Sequence, residues 1–253
     1  ANRNTHQVTD GWKTLLTNVM VVDHTDHTFA LNADGHYVCD CGAVALVRVE
    51  GDTEIHYYSD LDTIIAIAER LTKGTITVLE DKALTPDYLG GLELTSGTFT
   101  LDLNKKTFKE IYIKGTANIT MKNCNAYSGV LTVDGANASL ALESADGAEV
   151  TVLEGSFTVP VGCNPQFKQL EAHSSNVSLG GGYYKTIRSW GSPLTEIVAE
   201  GYGYKQGNSW ITDISWVELN EVTVTRYPIS KAETALSFDG TLVYGTEYGD
   251  EYY

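Results

Sequence analysis

Short stretches of alternating apolar and polar residues follow one another between residues 75 and 225, and Gly, Asn and Asp separate nearly all of them. Alternation over about four to six residues predicts half-buried β-strands. No helical pattern lies between the stretches, so the sequence predicts an all-β sandwich, barrel or solenoid. The stretches lie at residues 75–79, 99–103, 110–113, 118–121, 130–133, 139–142, 150–153 and 176–179.

A solenoid of stacked β-rungs is the version of this fold that we favour. The repeat is degenerate and has no strict period, which is expected where rung lengths vary. The same looseness leaves a β-sandwich as the alternative. A solenoid wall usually serves as a scaffold for a long binding surface, so the pattern predicts architecture and only a class of function.

A different pattern precedes the strands and predicts one amphipathic helix from Ser59 to Lys73. Ser59 is a favourable N-cap, Asp62 suits the positive end of the helix dipole, and Gly74 follows the last turn. The apolar face consists of Leu61, Ile64, Ile65, Ala68 and Leu71. We expect this helix to cover the first rung, because a bare solenoid end exposes apolar side chains and unpaired backbone groups.

Composition divides the 253 residues into three parts. Residues 1–42 form a small polar element that contains His and Cys, and residues 43–225 form the capped solenoid. Residues 226–253 read as a linker followed by the beginning of another β module. The chain is therefore predicted to be a fragment of a longer protein.

The charge balance excludes some classes of partner. There are 17 Lys and Arg residues against 33 Asp and Glu residues, which gives a net charge of −16. This acidity argues against nucleic acid, whose phosphates require a basic patch, and against anionic membranes. No apolar run approaches the roughly 18 to 20 residues that a membrane-spanning helix needs. We expect no membrane insertion, and we expect a monomer.

Two histidines and two cysteines in the first part supply a candidate metal site. His24, His27, Cys39 and Cys41 lie within 18 residues and match the ligand set of a tetrahedral structural zinc site. Closed zinc sites usually have two residues between paired cysteines, whereas only Asp40 separates these two. The alternative is solvated histidines beside reduced or oxidised cysteines. A bound zinc would fold the N-terminal element rather than catalyse, because protein ligands would fill all four positions. We predict no other cofactor.

The order of these motifs resembles a known family. The residues at 57–68, 74–81 and 98–104 are similar to a pattern in large secreted and cell-wall proteins of Gram-positive bacteria, in which an amphipathic helix precedes a right-handed parallel β-helix. The His and Cys-Gly element resembles the metal-knuckle-like insert upstream of such helices. Residues 242–246 are similar to the first strand of bacterial immunoglobulin-like repeats. The resemblance implies an extracellular, surface-attached and often adhesive protein.

Aromatic residues are concentrated late in the predicted coil, where three of the four tryptophans occur. Tyr and Trp anchor protein interfaces, and their faces also stack on sugar rings, so these residues form the candidate ligand-binding set. The alternative is that they seal the C-terminal end of the solenoid. The set consists of Tyr183, Tyr184, Trp190, Tyr202, Tyr204, Trp210 and Trp216.

We expect a non-catalytic adhesion module that recognises a host protein, such as an immunoglobulin or matrix protein, or a host glycan. The first alternative is a carbohydrate-active enzyme, either a polysaccharide lyase or a glycoside hydrolase, because parallel β-helices host such enzymes. The carboxylates available for it are Asp102, Asp134 and Asp146, with Lys105, Lys106, Lys185 and Arg188 as bases. No dense acidic motif supports catalysis in the strand region. The second alternative is a structural spacer that presents neighbouring modules.

Overall fold

The computed structural model describes residues 27–51, 54–59, 73–80, 92–106, 109–214 and 217–228. Within these ranges all of the regular secondary structure consists of β-strands. Of the predicted capping helix, Ser59 to Lys73, residues 60–72 lie outside the described ranges, as do residues 229–253. Among the residues that are described, no helix has the length and apolar character required to cross a membrane.

Nineteen strands are numbered here in chain order over the described ranges. They are β1 (Phe29–Leu31), β2 (Tyr37–Cys39), β3 (Val47–Glu50), β4 (Ile55–Tyr58), β5 (Thr75–Val78), β6 (Leu92–Leu94), β7 (Thr98–Asp102), β8 (Glu110–Lys114), β9 (Asn118–Lys122), β10 (Val130–Asp134), β11 (Ser139–Leu142), β12 (Asp146–Val152), β13 (Ser156–Val159), β14 (Gln166–Ala172), β15 (Asn176–Leu179), β16 (Gly182–Ser189), β17 (Tyr202–Gln206), β18 (Ser209–Trp210) and β19 (Glu218–Arg226).

From β5 to β16 the strands alternate between two sheets. The odd-numbered strands lie in an eight-stranded sheet of order β15-β13-β11-β9-β7-β5-β3-β4, and the even-numbered strands lie in a nine-stranded sheet of order β18-β17-β19-β16-β14-β12-β10-β8-β6. Neighbours in this part of each sheet are parallel, and Thr98 pairs with Asn118, 20 residues further on. The chain therefore coils through about five turns, which confirms the predicted parallel β-solenoid. Its handedness stays a prediction.

The alternating sequence pattern corresponds to alternating burial. In β8, Ile111 and Ile113 are fully buried, while Tyr112 between them faces outward and is half-buried. The buried alternate residues of both sheets pack together in one shared core, because successive side chains of a strand point to opposite faces of its sheet. Aromatic rings fill its last rungs, where Phe167 packs edge-on against Phe157 and stacks on Tyr184 at a centroid distance of 4.9 Å.

Antiparallel strands close the N-terminal end of the eight-stranded sheet. β3 pairs antiparallel with β5, and β4 pairs antiparallel with β3. The β1–β2 hairpin contacts this edge, where the Tyr37 and Tyr57 rings lie 4.5 Å apart between centroids and His36 bonds Glu80. The N-terminal element is thus attached to the beginning of the coil.

The C-terminal end is closed in a different way for each sheet. In the nine-stranded sheet, β19 pairs antiparallel with β16 and then with β17. In the eight-stranded sheet, the segment 197–199 covers the last strand, because Leu179 donates to the Ile197 carbonyl and accepts from the Ala199 amide. The Tyr204 hydroxyl donates to the Leu194 carbonyl at 3.0 Å and links the two closures.

Candidate metal group and candidate binding surfaces

The β1–β2 hairpin brings one histidine and two cysteines together. Phe29 pairs with Cys39, so His27 precedes β1 on the side where the chain leaves β2. A tight turn then folds Cys41 back, since the Gly42 amide donates to the Cys39 carbonyl at 2.8 Å and Gly42 adopts a φ of 88°. This turn makes the single-residue spacing between the cysteines compatible with a shared site.

The ligand atoms of His27, Cys39 and Cys41 all lie within 4.8 Å of one another. Zinc–sulfur bonds of about 2.3 Å and zinc–nitrogen bonds of about 2.0 Å in a tetrahedron require ligand atoms roughly 3.5 Å apart. Cys41 Sγ already lies 3.3 Å from His27 Nδ1. The group could therefore hold a metal ion after small side-chain movements. His24, the predicted fourth ligand, lies outside the described residues.

The surroundings of Cys39 favour its thiolate form. Hydrogen bonds from the Cys41 backbone and the His27 side chain lower the pKa of Cys39 to about 7. The thiolate is the form of cysteine that binds metals. Cys124 behaves in the opposite way, because burial raises its pKa to about 12 and its thiol donates to the Lys122 carbonyl.

Two of the seven candidate aromatics are core residues. Tyr184 and Tyr204 are fully buried, and their hydroxyls donate to the carbonyls of Gly181 and Leu194. Burial raises the pKa of both tyrosines. These side chains lie in the core near the C-terminal end of the coil and are not accessible to a ligand. Tyr202 is half-buried and packs against the same core.

Trp190 occupies a different position, directly after β16 at the end of the nine-stranded sheet where its parallel strands finish. The residues that directly follow β12, β14 and β16 are Leu153, His173 and Trp190. The backbone hydrogen bonds between rungs continue through them, because the His173 amide donates to the Val152 carbonyl at 2.8 Å and the Trp190 amide donates to the Ala172 carbonyl at 2.7 Å. The three side chains therefore lie in one file across the rungs.

Three exposed apolar side chains lie at this end of the sheet. Trp190 is 57% exposed, Leu153 is 42% exposed, and Val217, whose carbonyl accepts from the Ser189 amide, is 50% exposed. His173 lies between Leu153 and Trp190 in the file. We call the four residues Leu153, His173, Trp190 and Val217 the Trp190 ridge.

Trp210 lies on β18, the edge strand of the nine-stranded sheet, at the end away from Trp190. Its ring packs against Tyr227 at a centroid distance of 4.4 Å, and Lys205 Nζ lies 6.0 Å from its centroid. Tyr183 is half-buried on the outer face of β16. Sequence reasoning missed Tyr227, because the Pro that follows it made the segment read as a linker. Trp216 lies outside the described residues.

The three carboxylates considered for catalysis are not brought together. Asp102 lies in the eight-stranded sheet, where it accepts from the Asn104 amide and the Asn123 side chain at 2.8 Å. Asp134 ends β10 and Asp146 begins β12. The β10–β12 register places Asp134 and Asp146 roughly 20 Å apart along the strands. A pair that flanks a glycosidic bond requires about 5 to 9.5 Å.

Comparison with known proteins adds no relative. No family model matches the chain, and neither a curated protein nor a solved structure is significantly similar to it.

Proposed function

We propose that the chain is a non-catalytic adhesion module of a secreted or cell-wall-attached protein of a Gram-positive bacterium, and that it binds a host protein. The observation that carries the proposal is the Trp190 ridge, in which a tryptophan, a leucine and a valine are exposed at one end of the nine-stranded sheet. Contiguous exposed apolar side chains are characteristic of protein interaction sites.

The composition of the ridge suits a protein partner. Trp is the residue type most enriched among those that dominate binding energy, and it acts best when less critical neighbours exclude water around it. Leu153 and Val217, which are exposed at the same end of the sheet as Trp190, are the residues that we expect to fill this role. The backbone ladder fixes the file before binding, so little conformational entropy is lost when the partner docks.

Acidic residues accompany the ridge and define the partner's charge. Glu154 follows Leu153 and is exposed, and Glu171 accepts a 2.9 Å hydrogen bond from His173. A net charge of −16 strengthens this field. Opposite charge steers association more than it adds affinity, so we expect a partner with a basic rim around an apolar pocket and salt-dependent association.

The ridge is tested with serum and mucus proteins passed over the immobilised chain. The wild-type chain and the V161A variant should retain the same host protein, while W190A should lose it, with at least a tenfold rise in Kd. Val161 is a matched control because it is 68% exposed at a turn on the other side of the coil. Equal retention by W190A and wild type would refute the ridge as the binding surface.

We further propose that His27, Cys39 and Cys41 bind zinc in a structural role, with His24 as the fourth ligand. We also propose that the coil is right-handed and that a helix caps its N-terminal end. Zinc at His27, Cys39 and Cys41 would hold together the hairpin that packs on Tyr57. Elemental analysis should find about one zinc per chain, as expected for a structural site with tetrahedral coordination. The C41S variant should lose the zinc, whereas C163S should keep it. A zinc content well below one ion per wild-type chain would refute this proposal.

A further inference from the structure

A second cluster faces outward from the last strands of the nine-stranded sheet, at the end away from the Trp190 ridge. Tyr183 pairs with Thr223, Thr223 pairs with Lys205, and Lys205 pairs with Trp210. Residues paired in this way share one face of a sheet, and adjacent strands lie about 4.8 Å apart, so the row spans roughly 14 Å. We call Tyr183, Thr223, Lys205, Trp210 and Tyr227 the aromatic–lysine patch.

The patch lies on the outer face because the neighbouring positions point inward. Tyr184, Val222, Val224 and Tyr204 are all buried in the core. Strand alternation then places Tyr183, Thr223 and Lys205 on the opposite side of the sheet.

Two aromatic rings form a ledge at one end of the patch. A Cβ atom at Gly203 would lie 2.1 Å from the Tyr227 hydroxyl oxygen, so only glycine leaves room for the Tyr227 ring over the β17 backbone. Trp210 packs against this ring with an interplanar angle of 30°. Tyr227 is nevertheless 42% exposed. The ledge therefore offers the exposed part of the Tyr227 ring as aromatic surface for a ligand.

Lys205 supplies a cation beside the ledge. Its Nζ lies 6.0 Å from the Trp210 ring centroid, and among the residues that the structure describes it makes no ion pair with a carboxylate. Three other cations of the same sheet are paired, Lys114 with Glu93, Lys168 with Glu149 and Arg188 with Glu218, whereas Lys185 and Arg226 make no ion pair among the described residues. In a chain with 33 acidic and 17 basic residues, an unpaired lysine between aromatic rings is therefore available to an anionic ligand.

We propose that the aromatic–lysine patch binds a carboxylate-bearing sugar residue of an acidic glycan. The pyranose ring stacks on the Trp210–Tyr227 ledge, and its carboxylate accepts a hydrogen bond from Lys205 Nζ. The Thr223 and Tyr183 hydroxyls lie in the same row and bond the sugar hydroxyls. Aromatic faces with one nearby charge provide this combination of apolar contact and fixed polar groups. The site shares no residue with the Trp190 ridge, so it does not depend on that ridge.

The proposal is tested by calorimetric titration of the 253-residue chain with two acidic probes, a galacturonate trimer and sialyllactose, which distinguish a uronate from a sialate. The neutral controls are the galactose trimer and lactose. At least one acidic probe should bind tenfold or more tightly than its neutral control. Absence of binding by both acidic probes, or binding of each acidic probe no tighter than that of its neutral control, overturns the proposal.

Two variants locate the binding. W210A and K205Q should each weaken the acidic probe at least tenfold, and K205Q should also remove most of the salt dependence. K168Q, on the same sheet face, and W190A, in the ridge, should bind the sugar like wild type. Thermal unfolding shows whether W210A remains folded, and K205Q decides the outcome if it does not. Unchanged sugar affinity in K205Q contradicts the proposal, whereas loss of the host protein with W190A concerns only the ridge.

Discussion

The two outer faces of the coil share one core but differ in the side chains of their central files. On the eight-stranded sheet, two central files contain only short, uncharged residues, whereas the nine-stranded sheet carries long charged and aromatic ones. The first file is Thr98, Asn118, Ser139, Ser156 and Asn176, and the second is Thr75, Thr100, Thr120, Ala141, Thr158 and Ser178. A single row of the nine-stranded sheet is Glu93, Tyr112, Thr132, Thr151, Glu171, Arg188 and Glu218.

This difference separates the requirements of folding from those of binding. Inward positions obey one rule on both sheets, because each rung must fill the same core. Outward positions do not have to fill the core, and threonine is sufficient there because its β-propensity is high. Both proposed sites, the Trp190 ridge and the aromatic–lysine patch, lie on the nine-stranded sheet, where the outward side chains are larger than strand formation requires.

The ion pairs of the nine-stranded sheet contribute too little stability to explain why its outer face is charged. Lys114 lies 2.9 Å from Glu93 and Arg188 lies 2.5 Å from Glu218, but both pairs are solvent-exposed. Exposed pairs typically contribute about 0 to 1 kcal/mol.

The largest effects should come from the shared core and should be equal for the two sheets. Phe157 in β13 and Phe167 in β14 are both buried and contact each other edge-on. We expect F157A and F167A each to lower the free energy of unfolding by about 3 to 5 kcal/mol, since each leaves a large cavity. Chemical denaturation of both variants measures this. A much smaller effect in one sheet would break the picture of a single core.

A smaller effect should appear in the charged face when pH is varied. A hydrogen bond from Asn220 and the contact with Arg188 lower the pKa of Glu218 below its ordinary value of 4.5. A lowered carboxyl pKa stabilises the fold above the ordinary value, and this contribution is lost as pH falls through the lowered pKa. R188Q should therefore raise the Glu218 pKa and be less stable than wild type at neutral pH.

NMR titration of Glu218 and denaturation at several pH values check this expectation. The stability difference between R188Q and wild type should vanish once Glu218 is protonated in both proteins. A stability difference that persists unchanged in acid would show that Arg188 acts through packing and not through the Glu218 charge.

The smallest effect should come from the uncharged files. Thr120 is half-buried on the outer face of β9, and no proposed site contains it. We expect T120A to change the free energy of unfolding by no more than about 0.5 kcal/mol, as is usual for surface substitutions. The variant should bind the host protein and the acidic sugar like wild type. A tenfold loss of either affinity in T120A would move binding to the eight-stranded face.

The repeated strands were readable from the sequence because burial alternates with the residue pattern. Residues 110–113 and 130–133 lie in β8 and β10 as expected. The C-terminal closure was not readable, since the pattern of β19 resembles that of any other strand and its antiparallel pairing with β16 depends on a distant segment. The β13 and β14 strands were also missed, although both alternate in burial.

The candidate sites were only half readable. Spacing was enough to predict that His27, Cys39 and Cys41 come together. It was not enough to sort the aromatics, because Tyr183 and Tyr184 are adjacent in sequence and face opposite sides of β16. Only the strand register shows that the first is outward and the second is core. The Trp190 ridge likewise depends on register between rungs.

Hydroxyl-radical footprinting of the chain, bound to the host protein that it retains, tests the central claim most directly. We predict protection of Leu153, His173 and Trp190 on the nine-stranded sheet, with no change at Thr100, Thr120 and Thr158 on the eight-stranded sheet. Protection of those threonines with continued exposure of Trp190 would contradict the assignment of binding to the nine-stranded face.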